Sequence, residues 1–253
     1  MGKKQTSDTP SKRQILREQR QKKQKQQRLL IMLGLAGVGV ILILFLVVPA
    51  VIEATTPVGE FQLVTPYPRP NVDGRAMGDP NAPVTIEVFE DFQCPACQTY
   101  SELIEPEIVK NLVEPGTVYY IFRHNPFIDD RAATKESDQA ANASMCASEQ
   151  GRFWDYHDIL YKNWNGENQG NFTDKRLVAF AEAIHLDMTA FNACFKANLY
   201  QDEIEKDIAR GLELGVNGTP SVFVNGKIVK PGYVPSYEEI KAAVNAALES
   251  SGN

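Results

Sequence analysis

The chain has 253 residues, 43% of them hydrophobic, and a formal net charge of −6, which allows one or two domains with an ordinary packed core. Residues 1–28 hold ten of the 26 Lys and Arg against only Asp8 and Glu18, whereas the remainder carries 16 basic and 30 acidic residues. The folded part is therefore acidic, which argues against a nucleic-acid partner.

Residues 29–52 are 24 residues without a charged or strongly polar side chain. At about 1.5 Å per residue, a helix of this length spans a hydrocarbon core of roughly 30 Å. The basic stretch before it predicts a cytoplasmic N-terminus and an extracytoplasmic remainder, in a single-pass protein of the cell membrane. A cleaved signal peptide is the alternative, but its apolar region is usually only about 7–15 residues, so an uncleaved anchor is expected. The tail at 1–28 reads as a cytoplasmic topology signal whose charge also suits anionic lipid. Outside the membrane, disulfides form and persist.

Residues 53–72 contain Pro57, Pro66, Pro68 and Pro70 and read as a semi-extended spacer ahead of a domain at 73–253. Residues 83–92, PVTIEVFEDF, have the β-branched and aromatic content of a strand. A helix is predicted from the cysteine pair that follows, kinked at Pro106 and closed by Pro115-Gly116. Residues 117–124 form a second strand. Helical patterns then fill an insertion at about 130–214, with Thr173 and Asp187 as N-caps. Two strands form a hairpin across Asn225-Gly226, and a last helix begins at Ser236, which makes a capping box with Glu239. This order predicts an α/β layer with a helical insertion.

Of the four cysteines, Cys94 and Cys97 are separated by two residues and can close on each other, which leaves Cys146 with Cys194. That second bridge would close a loop of about 49 residues and contribute on the order of 4 kcal/mol. Two unpaired buried thiols are the alternative. A structural zinc site needs four ligands, and His124, His157 and His185 have no metal-type spacing, so neither a metal nor a cofactor is expected. A redox dithiol has positive support. At the start of a helix, free backbone N–H groups and the helix dipole lower the pKa of Cys94. Pro95 suits the first helical position, where no N–H is needed.

Far along the chain, Thr219-Pro220 sits at the start of a strand, where an X-Pro bond can be cis. With CPAC, and with GDPNAPVTIEVFEDFQCPAC, CASEQGRFWDYHDILY and GVNGTPSVFVNG, the sequence resembles the DsbA-like thiol oxidases of the thioredoxin superfamily from about residue 78 onward. The resemblance implies a thioredoxin-like α/β fold of four or five strands with a helical insertion, preceded by the transmembrane helix. It implies Cys94 and Cys97 as the catalytic pair, supported by Pro95, Ala96, Thr219 and a cis Pro220. Thr219 would offer backbone hydrogen bonds to an extended client. Some relatives carry a second disulfide in the helical domain, matching Cys146 and Cys194. The implied partners are unfolded or reduced exported proteins and a membrane quinone-linked reoxidase of the DsbB or VKOR type.

The sequence also departs from the family pattern. The buried carboxylate that commonly lies six residues before the first cysteine is replaced by Val88. Glu87 faces the other way on a strand, and Glu90 shares the face of Val88 but lies nearer the cysteines. Ala96 stands where strongly oxidising relatives often have histidine, and the threonine before Pro220 also occurs in isomerase-type relatives. His157 and His185 are expected as packing or helix-surface residues, and His124 as a strand end. The expected activity is an oxidase that introduces disulfides into exported proteins. The alternatives are a reductase or isomerase using the same site, and a tethered chaperone with a purely structural CPAC.

Overall fold

The computed structural model describes residues 12–131 and 134–251. Contacts divide the chain into an N-terminal unit ending at Pro57 and a second unit from Val58. The first is a continuous helix, α1 (Lys12–Thr55), and residues 1–11 of the basic tail lie outside the described residues. Within α1, Arg20–Pro49 is long and apolar enough to cross a membrane. The basic residues from Lys12 onward share this helix with the apolar stretch, so the tail has no structural boundary at residue 28. Gln, Lys and Arg are good helix formers, which explains the continuity.

In the second unit, a five-stranded sheet has the order β1 (Ala76–Met77), β3 (Val118–His124), β2 (Val84–Glu90), β4 (Ser221–Val224) and β5 (Lys227–Ile228). β2 and β3 run parallel, pairing Val88 with Phe122 and Glu90 with His124. β4 runs antiparallel to β2 and β5 to β4. The β4–β5 turn uses Asn225 and Gly226, both at positive φ, as a tight hairpin requires. The short β1, which the sequence pattern did not predict, pairs antiparallel with β3.

Five helices fill the insertion: α4 (Glu136–Ser148), α5 (Phe153–Lys162), α6 (Asp174–Ala183), α7 (Met188–Lys196) and α8 (Gln201–Leu214). Asp187 caps α7 by accepting from the N–H of Thr189 and Ala190. Thr173 precedes α6 without a side-chain cap. Between β2 and β3, α2 (Pro95–Leu103) breaks before α3 (Glu105–Ile108) and a π turn at Val109–Val113. Pro106 lacks the N–H that would continue α2. The chain ends in α9 (Tyr237–Ser251), where Ser236 and Glu239 exchange backbone-to-side-chain hydrogen bonds at 2.8 and 3.3 Å.

The two sheet faces are packed differently. Phe122 meets Phe92, Phe153, Trp154 and His157 with ring centroids 5.3–6.4 Å apart, joining the sheet to α5. On the opposite face, Gly211 lets α8 approach the Phe89 ring, where an added Cβ would lie 3.3 Å away. On that face Glu87 is paired with Arg123 and Arg210.

The spacer reading of 53–72 needs correction. Phe61 stacks edge-on against Phe180, and Gln62 exchanges two hydrogen bonds with the Asn163 side chain. Tyr67 donates to Glu105 at 2.8 Å, and Arg69 bridges Glu105 and Asp158. Prolines favour an extended path, but the residues between them bury aromatic and ionic groups, so the segment is a strap on the domain from residue 58.

Candidate active site

Cys94 occupies the N-cap of α2, with Pro95 following at the first helical position. The preceding turn is built by Asp91. Its carboxylate accepts from the backbone N–H of Gln93 and Ile128 and from the Ser137 hydroxyl, at 2.7–3.0 Å. Burial nevertheless pushes Asp91 up to about 7. Trp164 Nε1 donates to the Gln93 carbonyl at 2.7 Å, so the insertion also holds the residue before the dithiol.

Cys94 is 5% exposed and Cys97 is fully buried; both are thiols in this structure. The Cys94 thiol donates to the Thr219 carbonyl at 3.3 Å, and the Thr219-Pro220 bond is cis. Hydrogen bonding from Cys97 is the largest influence lowering Cys94, to about 6, against the opposing effect of burial. The Thr219 side chain and the N–H groups of Cys97 and Ala96 lower it further. The Thr219 hydroxyl is buried without another hydrogen-bond partner, which leaves it available to a Cys94 thiolate. Cys97 moves the other way, pushed well up by burial, by Cys94 and by Glu90. Ala96 contributes only its backbone.

Glu90, at the end of β2, is 1% exposed and accepts from Tyr161 at 3.0 Å. Burial and then Glu105 hold its carboxyl well above the carboxylate range, against the lowering effect of hydrogen bonding from Tyr161 and Cys97. Val88 sits in the apolar core. Glu87 is across the sheet with Arg123, so Glu90 is the carboxyl beside the dithiol.

Cys146 and Cys194 are disulfide-bonded, tying α4 to α7. His124 is buried against Phe122 at 5.0 Å, and burial, Arg75 and His157 push it well down. Of the packing and helix-surface readings of His157, packing holds: it is fully buried, with Nδ1 2.9 Å from Asp158 and Nε2 3.6 Å from Glu105. His157 and Tyr161 lie four residues apart on α5, but periodicity could not reveal that they and Glu105 of α3 cluster around Glu90 at the end of β2.

A CxxC at a helix start, facing a cis-proline on this sheet, defines a DsbA-like protein disulfide oxidoreductase. The chain belongs to the family described as Thioredoxin, whose profile matches residues 70–246. It is 26% identical over 185 residues to disulfide bond formation protein D of Bacillus subtilis, covering 72% of this chain and 80% of that one. It is 32% identical over 174 residues to Na(+)/H(+) antiporter NhaA 3 of Salinispora tropica, covering 69% of this chain but only 24% of that protein. The oxidised crystal structure of B. subtilis BdbD superposes with a TM-score of 0.62 at 26% identity, covering 72% and 96% of the two chains.

Proposed function

We propose that the Cys94–Cys97 pair works as an oxidase that introduces disulfides into exported proteins. The observation that carries this reading is the opposed pair of thiols: Cys94 is lowered to about 6 and Cys97 is raised. A client thiolate attacks Cys94 of the enzyme disulfide, and the Cys94–Cys97 bond breaks. Cys97 leaves and takes a proton from Glu90, which its surroundings keep protonated. A second client thiolate then attacks the client sulfur of the mixed disulfide. The client gains its disulfide, and Cys94 leaves as a stabilised thiolate, the better leaving group.

In this mechanism Thr219 and Pro220 hold the extended client beside Cys94, while Pro95 and Ala96 shape the helix start. A membrane quinone-linked partner of the DsbB or VKOR type then reoxidises the dithiol. The basic residues before the apolar stretch of α1 support a cytoplasmic N-terminus and an extracytoplasmic catalytic domain. The name of the B. subtilis relative, disulfide bond formation protein D, supports the oxidising direction.

One observation favours the reductase or isomerase reading. A Cys94 at about 6 lies nearer the thioredoxin value of about 7 than the DsbA value of about 3.5, as a motif with Ala96 should. Equilibration with glutathione buffers distinguishes the two. A potential well above that of thioredoxin, about −270 mV, is expected, and one near or below it overturns the oxidase.

A further inference from the structure

Behind the dithiol, three buried polar atoms have no hydrogen-bond partner: Glu90 Oε1, Glu105 Oε2 and His157 Nε2. One ligand atom from each of these side chains falls within 4.8 Å of the others. Their remaining polar atoms are already engaged. Tyr161 donates to Glu90 Oε2, and Arg69 and Tyr67 donate to Glu105 Oε1. His157 Nδ1 faces Asp158 at 2.9 Å. Arg69 donates to both Asp158 oxygens, at 2.9 and 2.7 Å. Asp158 thus holds the Nδ1 edge of the ring, and Nε2 faces Glu105 Oε2 at 3.6 Å within the cluster.

We infer that Glu90, Glu105 and His157 form a buried site for a divalent transition-metal ion of the zinc class. Two carboxylate oxygens and one imidazole nitrogen are a donor set suited to zinc, leaving one further coordination position. The carboxylate behind the ligating histidine is the outer partner such sites use to fix the ring and its tautomer. Charge also fits. With Glu90, Glu105 and Asp158 ionised, Arg69 offsets one negative charge, and a divalent cation neutralises the other two. An ion here would occupy the Glu90 carboxyl that the proposed disulfide exchange uses, so metal binding and that role of Glu90 compete for one side chain. The inference does not depend on the direction in which the dithiol runs.

The test uses the full chain in detergent, with the Cys94–Cys97 disulfide closed so that no thiolate competes, stripped with a chelator and titrated with zinc against a competing indicator. One zinc per chain is expected, and Glu90→Gln and His157→Gln should each weaken binding by about ten-fold or more. No binding to the oxidised wild-type chain, or affinity unchanged in both variants, overturns the site. X-ray absorption of the zinc-loaded wild type gives a readout independent of variant folding. Nitrogen and oxygen donors near about 2.0–2.2 Å, including imidazole, support the site, whereas sulfur near about 2.3 Å assigns the metal to cysteine and overturns it.

Discussion

The Cys94 sulfur lies 3.3 Å from the carbonyl oxygen of Thr219, the residue whose bond to Pro220 is cis. In the thiol form this carbonyl accepts from Cys94; in the thiolate form it has nothing to accept, and the Thr219 hydroxyl joins the Cys97 thiol and the N–H groups of Cys97 and Ala96 as a donor. Thr219→Val keeps the shape and removes that donor. The pKa of Cys94 should rise by about one unit, equivalent to about 1.4 kcal/mol, and the dithiol should become less oxidising. Thiolate ultraviolet absorbance across pH measures the first effect and glutathione equilibration the second. An unchanged Cys94 titration would remove the hydroxyl from the account.

The same thiolate makes stability depend on pH. Cys94 is lowered from 9.0 to about 6 in the folded chain. Its contribution to the reduced form is therefore absent below about 6, grows through the interval and is complete above about 9. At pH 7 it is on the order of 1 kcal/mol. Cys97 is raised, so its opposing effect begins only where an unfolded cysteine ionises, at the upper end of that interval. Thermal unfolding of reduced and oxidised protein should show the reduced form gaining ground from pH 6 to 8. A constant difference over that range would contradict the assignment.

Glu90 is predicted to supply the proton as Cys97 leaves. Glu90→Gln keeps the size and the Tyr161 contact but cannot donate as an acid. It should slow reduction of the enzyme disulfide on the order of 10²-fold. The wild-type rate, corrected for client thiolate fraction, should fall as Glu90 loses its proton, and the variant should lose that limb. Stopped-flow tryptophan fluorescence is a suitable probe, and a variant that retains the wild-type profile would exclude the role.

The disulfide between Cys146 and Cys194, 48 residues apart, should act on stability rather than on chemistry. Replacing both cysteines with alanine should cost about 2–4 kcal/mol in urea unfolding. The potential of Cys94–Cys97 should stay within the error of the glutathione measurement. A large shift in that potential would mean that the insertion tunes the dithiol through this bridge.

The strand, turn and helix signals around CPAC and Thr219-Pro220 were legible because each is local: β-branched runs, Asn225-Gly226, a capping box and a proline at the first helical position. The edge strand at Ala76 and Met77 was not, since two residues carry no period. Glu90 was visible as sharing a face with Val88, yet its importance depends on Tyr161 and Glu105, contributed by helices that periodicity cannot place in space. His157 was legible as a packing residue, but a histidine on an amphipathic helix gives no sign that its neighbour Asp158 will be shared with Arg69. The strap was hidden for a related reason. Four prolines dominate its composition, while the residues that bind it, Phe61, Gln62, Tyr67 and Arg69, find their partners roughly a hundred residues away or in α3.

That strap gives the last prediction. The Arg69 side chain is 3% exposed, between Glu105 and Asp158, which are 0% and 9% exposed. Removing it leaves two buried carboxylates without their cation, a loss of about 3–5 kcal/mol in comparable buried pairs. Arg69→Met should therefore destabilise the domain by that order while preserving much of the apolar stem. Because Glu105 also raises Glu90, loss of the cation that offsets Glu105 should make ionisation of Glu90 harder still. The acid limb of the Cys97 leaving step should then move to higher pH. Urea unfolding reads the first effect, and the pH profile of enzyme reduction reads the second. If stability falls but the profile stays fixed, the strap is a clamp on the fold alone; if neither changes, the segment from residue 58 does not belong to the folded domain.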